Sequence, residues 1–264
     1  MSKFLEIKNQ TDSSAEMYLS GTVQDDTNKN YFWDDPEGYV FPADVKAQLD
    51  SLKGKDLTVY INSDGGNVFA GIAIANMLKR HDGQTTAIVD GLAASIATQA
   101  FFACDVKKMP KNTYLMIHKP WSSVCGDANG MNRAAEMLNT VQRGLESMYL
   151  DNAKDGVTAE QISTMTNAET WLTGEEAAEI FKIEVLDPVD MVACACNMPQ
   201  LFKNPPANIK FLTENKAAAS KEPPRDPPRP PKAEDGEQAK KEKVILQKRK
   251  ILIMSALAKG SEFL

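Results

Sequence analysis

Histidine and cysteine are scarce in this chain, whose 264 residues hold two of the first and four of the second. Cys104, Cys125, Cys194 and Cys196 are too few to staple a chain of this length, and Cys194-Ala-Cys196 has one intervening residue where zinc and redox motifs use two. Reduced thiols and no metal site are therefore expected. No stretch approaches the roughly 18 consecutive apolar residues that a membrane helix needs. The start, MSKFLEIKNQ, lacks the basic opening, apolar run and small-residue cleavage site of a secretory signal, so a soluble, cytoplasmic protein is expected. Positive charge is short over most of the chain: residues 1–198 carry 16 Lys+Arg against 28 Asp+Glu, a balance of -12. Such a body repels polyphosphate, which argues against a nucleic-acid partner. There is no G-x-x-x-x-G-K-[ST] loop to cradle nucleotide phosphates.

What is present is enough apolar content, 42% of residues, to bury one substantial core. One domain over 1–198 with an appendage over 199–264 is expected. FLEI (4–7) and MYL (17–19) suit edge strands or a hairpin. From Leu57 a theme begins: the β-rich run LTVYIN (57–62), a turn SDGG (63–66), and a helix over 67–81 with Val68, Phe69, Ile72, Ala75 and Leu78 at helical spacing. It repeats as TTAIVD (85–90), the small-residue turn GLAAS (91–95) and the apolar run IATQAFFA (96–103), followed by a strand at TYLMIH (113–118). Strands alternating with helices predict an α/β fold around a parallel sheet. An amphipathic helix is expected over 130–154, with Ala134, Met137, Leu138, Val141, Leu145 and Met148 along one side, read as a core face. Thr158-Ala-Glu-Gln161 and Thr173-Gly-Glu-Glu176 have capping-box form and each should open a short helix. Residues 203–243 are rich in proline and charge, a composition that cannot offset chain entropy by burial, so a disordered tail is expected, ending at 244–258 in either a short basic helix or a frayed terminus. Residues 199–264 carry 14 Lys+Arg against 8 Asp+Glu.

With two histidines, the search for a general base is short. His81, in KRHDG at a helix end, reads as a residue facing the helix dipole or solvent. His118 closes an apolar strand at the end where α/β folds gather ligands, although strand-end histidines are more often structural. Ser95 sits at a strand-to-helix junction beside the Ile96 N–H; alone, a helix-capping serine is the simpler account. The pair Gly65-Gly66 permits close backbone approach but is commonly just a turn.

Taken in order, INSDGGNVFAG (61–71), GLAASIA (91–97) and YLMIHKPW (114–121) resemble three successive blocks of the Clp proteolytic-subunit family, including its phage-encoded, prohead-protease-like branch. The resemblance runs from about Leu57 to Asp190. It implies a Clp/crotonase-like fold of repeated β/α units in a spiral, and serine peptidase chemistry with no cofactor. By the same resemblance Ser95 is the nucleophile, His118 the base, and the Gly66 and Ile96 N–H groups the oxyanion donors. The third triad member falls on Glu169 in AETWLTGEEA (168–177), with Asp187 and Asp190 as competitors. Two residues depart from the family pattern: Asp64 stands where a proline is usual, and Glu169 where an aspartate is usual. The family further implies protein substrates, a homo-oligomeric ring and, for any ATP dependence, a separate unfoldase. INSDGGNVFAG, MIHKPW, ETWLTGEEA and the region YFWDDPEGYVFPADV (31–45) resemble the phage branch more than the housekeeping one, which implies capsid and scaffold proteins as substrates. Two competing readings are an enoyl-CoA hydratase-like enzyme, which would need acidic catalytic residues instead of the Ser/His pair, and a catalytically silent assembly or scaffold protein that keeps the fold.

Overall fold

A computed structural model describes residues 5–32, 38–188 and 203–204. The chain divides into two compact units, Met1–Ser123 with Ala135–Ala217 and Val124–Ala134 with Ala218–Leu264. In the second, the described part is a short stretch in which the Asp127 carboxylate accepts the Gly130 N–H at 2.8 Å. The sheet and the site lie in the first. The expected tail over 199–264 and its terminal helix fall outside the described residues except at 203–204, as do Cys194 and Cys196.

The chain opens with β1 (Leu5–Lys8) and β2 (Ser14–Val23), an antiparallel pair in which Leu5 faces Leu19 and Ile7 faces Met17. The expected hairpin is there, but β2 is not an edge: the short β3 (Tyr39–Val40) and the long β4 (Asp56–Gly66) also pair with it, both in parallel. Burial alternates strictly along β2, so Ala15, Met17, Leu19, Gly21 and Val23 turn inward, as a strand covered on one face requires. Helix α1 (Pro42–Ser51) leads into β4, and α2 (Val68–Lys79) leads from it to β5 (Thr85–Ala94). Helix α3 (Ala97–Ala103), β6 (Val106–Pro110) and β7 (Tyr114–Ile117) follow. Then come the long helix α4 (Ala128–Asp151), α5 (Ala159–Ala168), β8 (Thr170–Thr173), α6 (Gly174–Ile180) and β9 (Glu184–Leu186). The sheet order is β1-β2-β4-β5-β6-β9; β7 pairs in parallel with the end of β5 and antiparallel with β8. Both capping boxes are formed, at Thr158 with Gln161 and at Thr173 with Glu176.

Four readings of the sequence need correction. SDGG and GLAA are not turns: β4 continues through Gly66 and β5 through Ala94. Gly65 and Gly66 pair with Thr22 and Val23 of β2 after a register shift, so the glycines serve a bulged strand end rather than a reversal. Strand β6, VKKMP, lacks alternation and was not anticipated; its place beside β5 comes from tertiary pairing, Thr86 to Val106 through Ile88 to Lys108. The α4 stripe is only in part a core face, since Leu145 is buried whereas Met137 is 41% exposed.

All seven residues of α3 are buried. Phe102 packs edge-on against Tyr149 and Phe101, and against Phe181, with ring centroids 4.9–5.8 Å apart. Each such side chain contributes on the order of 1.5–3 kcal/mol by leaving water, and the cluster fixes α3 against the C-terminal turns of α4. Among the described residues no helix is long and apolar enough to cross a membrane.

Candidate functional site

Two strand-to-helix junctions lie side by side. At the first, Asn67 is the N-cap of α2: its side-chain oxygen accepts the Ala70 N–H at 3.0 Å. At the second, Ser95 follows β5 with φ of 54°, a left-handed conformation that costs a residue with a side chain on the order of 1–2 kcal/mol. The N-cap of α3 is Ile96, and no side chain caps that helix. The capping account of Ser95 is therefore not what its hydroxyl does. Oγ lies 2.7 Å from Nε2 of His118, which follows β7.

Ser95 is held from both sides. Its N–H donates to Met116 O on β7 at 2.9 Å, and its carbonyl accepts the Thr98 N–H at 3.1 Å. The Thr98 hydroxyl also donates to that carbonyl, at 2.6 Å. Because this uses Thr98's one proton, the 2.7 Å contact between Thr98 Oγ1 and the buried Tyr149 must be donated by the tyrosine. A relay from α4 through Thr98 thus fixes the Ser95 peptide. Gly65 presses on the same place: a Cβ there would lie 2.7 Å from Ser95 Cβ, 2.8 Å from Ala94 O and 3.0 Å from Ile96 N. With φ of 94°, Gly65 is suited to this approach on both counts. Gly66 follows at φ of 134°, its missing Cβ leaving room for Val23 O. The Gly65-Gly66 backbone and the Ser95-Ile96 peptide are therefore neighbours.

Burial pushes the His118 imidazole below its usual proton affinity; Glu169 opposes this by charge, and Lys203 adds to it. His118 is thereby biased toward the neutral form that can accept a proton. Glu169 is 8% exposed and terminates α5 at φ of 55°, so it is neither a helix-start residue nor a solvated one. Among the described residues there is no hydrogen bond between Glu169 and His118; Oε1 instead accepts the Asn204 N–H at 2.8 Å. Asp187 is exposed beyond β9, and Asp190 lies outside the described residues. His81 sits at the end of α2 with Nε2 2.7 Å from Lys55 O, a structural contact across to the loop before β4.

A cleft of about 440 Å³ runs over Ser95 and His118. Phe69, Trp121, Met137 and Leu138 contribute apolar surface, whereas Thr22, Gln24 and Asp64 contribute polar groups. Phe69 and Trp121 are 62% and 61% exposed, unusual for side chains of that size and suited to contact with an apolar ligand. The sequence did not point to Thr98, Tyr149 or Lys203 as part of this neighbourhood, and it marked Asp64 only as a departure within the glycine block. Only Thr98 had a local signal, standing three residues after Ser95 where a hydroxyl can return to the carbonyl.

Fold and site define a class: an α/β protein of repeated strand–helix units, with a serine–imidazole pair where the ends of β5 and β7 meet. A family model described as Clp protease matches residues 42–183, more than half of the chain, and the chain belongs to that family. It is 29% identical over 139 residues to the ATP-dependent Clp protease proteolytic subunit of Bacteroides fragilis, covering 52% of this chain and 66% of that protein. The corresponding protein of Porphyromonas gingivalis is 31% identical over 147 residues, covering 53% and 65%. Proteolytic subunit 1 of Streptomyces coelicolor is 33% identical over 155 residues, covering 57% and 67%. The chain thus spans just under two thirds of the length of the first two of these relatives.

Proposed function

We propose that this chain is a serine endopeptidase in which Ser95 attacks a peptide carbonyl and His118 takes its proton. The observation that carries the reading is the 2.7 Å contact between Ser95 Oγ and His118 Nε2, made by a serine held in a left-handed conformation and withheld from helix capping. A serine hydroxyl within hydrogen-bond reach of an imidazole is the arrangement that nucleophilic catalysis requires, and backbone strain of this kind gathers at functional sites. The Gly66 and Ile96 N–H groups then stabilise the tetrahedral oxyanion, supported by the close approach of Gly65 to the Ser95-Ile96 peptide. His118 returns the proton to the leaving amine, and water hydrolyses the acyl-enzyme. Glu169 stabilises the imidazolium by charge, as its effect on His118 supports. No step calls for a metal or a nucleotide.

In this reading the substrates are proteins, the active form is a homo-oligomeric ring and any ATP dependence comes from a separate unfoldase. The resemblance of INSDGGNVFAG, MIHKPW and ETWLTGEEA to the phage branch supports capsid and scaffold proteins as the substrates, cleaved in the cytoplasm during head maturation. The test is fluorophosphonate labelling of the full chain, with mass spectrometry of wild type and Ser95→Ala incubated with co-expressed capsid protein. Labelling at Ser95 and loss of cleavage by about 10⁴-fold or more in the variant are expected. Labelling that survives Ser95→Ala, or cleavage unchanged in it, overturns the reading.

A further inference from the structure

Asp64 is a carboxylate in an unfavourable place. It is 6% exposed, yet it lines the same cleft as Ser95 and His118. The Thr22 hydroxyl lies 2.9 and 3.0 Å from its two oxygens, and Asp64's own backbone N–H also favours the charged form. A carboxylate offers about four acceptor positions, and one neutral hydroxyl with one backbone N–H does not balance a buried charge. Among the described residues no lysine, arginine or histidine forms an ion pair with Asp64. Burial accordingly raises its proton affinity, and the hydrogen bonds from Thr22 and from its own N–H only partly offset this. The neighbouring groups are polar as well: Thr22, Gln24 and Asn67 share the cleft wall with it. A buried, uncompensated anion is costly unless it takes up a proton or a cation arrives.

We propose that Asp64 is a specificity-determining residue that, together with Thr22 and Gln24, accepts the ammonium or guanidinium group of a lysine or arginine side chain in the peptide lying over Ser95. The inference rests on the peptidase reading and names a substrate class for it: chains that present one basic side chain beside apolar ones, the latter meeting Phe69, Trp121 and Leu138. A cation entering the cleft supplies the counter-charge that the fold withholds. An uncharged side chain of equal length leaves Asp64 desolvated and unpaired, and so binds the reacting complex less well.

The experiment compares kcat/KM on fluorogenic peptides that differ at one position, with Lys, Arg, norleucine or Glu, placed in turn at each of four positions flanking the scissile bond. Wild type, Asp64→Asn and Thr22→Val of the full chain are assayed, with fluorophosphonate labelling of Ser95 run in parallel. At one position Lys or Arg is expected to exceed norleucine by about tenfold or more. In Asp64→Asn, which keeps the oxygen that Thr22 can reach, that ratio falls to near one while the norleucine peptide is still cleaved. Thr22→Val lowers the ratio without bringing it to one, because an acceptor is lost while the charge remains. Equal cleavage of all four peptides by labelled wild type overturns the subsite and leaves the peptidase standing. A uniform fall on every substrate in Asp64→Asn assigns the residue to holding the Gly65-Gly66 strand end and overturns the inference. No cleavage together with no Ser95-dependent labelling overturns both readings.

Discussion

The two strand-to-helix junctions, Gly66-Asn67-Val68 and Ala94-Ser95-Ile96, are built from the same unit and used in opposite ways. Asn67 keeps an ordinary φ of -65° and spends its side chain on the Ala70 N–H, which stabilises α2. Ser95 sits at φ of 54°, leaves α3 without a side-chain cap, and turns its hydroxyl to His118. A polar residue at a helix start can close the helix or be held out for chemistry, and the backbone dihedral decides which. The strain at Ser95 is sustained by its surroundings: the Met116 carbonyl, the Thr98 and Tyr149 relay and the close face of Gly65.

The contrast can be broken most severely at Gly65. A Cβ there meets backbone at Ala94 as well as Ser95 Cβ, and the residue is left-handed, so Gly65→Ala must displace Ser95. A fall in kcat/KM of about 10²-fold is expected, since misplacement by about 1 Å costs that much. Unchanged turnover would show that the two junctions are not coupled. Removing the charge of Glu169 sharpens the contrast from the side of the base. Glu169 raises the proton affinity of His118, so Glu169→Gln lowers it further. His118 then stays neutral to lower pH, and the acid limb of the kcat/KM profile moves to lower pH. With no hydrogen bond to lose, the drop at the plateau is expected to be about tenfold rather than the ~10⁴ seen where an orienting bond is broken. A limb that moves to higher pH contradicts the assignment. The smallest effects are on stability, read from denaturant midpoints. Asn67→Ala should cost about 1 kcal/mol through the lost cap. Ser95→Gly should gain roughly 0.5–1 kcal/mol by relieving the left-handed strain, while abolishing turnover. Equal losses at both sites would erase the difference between the junctions.

The legible parts of this molecule were those written in adjacent residues. The capping boxes at Thr158 and Thr173 are local hydrogen-bond patterns, and both are formed. The strand-helix alternation showed the parallel sheet, and the order of three short blocks brought Ser95 and His118 into one argument. What stayed hidden is set by distant pairing. SDGG reads as a turn because glycine frees the backbone, but β2 holds Gly65 and Gly66 in a strand. Ser95 reads as a cap because nothing local announces a left-handed φ. The Thr98 to Tyr149 contact spans 51 residues, and no periodicity reports it. Glu169 was singled out by its setting in AETWLTGEEA, but its burial and its bond to Asn204 were not visible there.

That bond bears on where the chain can be cut. Composition invites a boundary at 198, with everything after it discarded to ease expression or crystallisation. Such a cut removes the Asn204 donor from Glu169 and the Lys203 cation from the neighbourhood of His118. With the cation gone, the imidazole holds its proton more tightly, and the shortened protein would work over a more alkaline range than the full one. An assay on a trimmed chain would then report the trimming along with the chemistry.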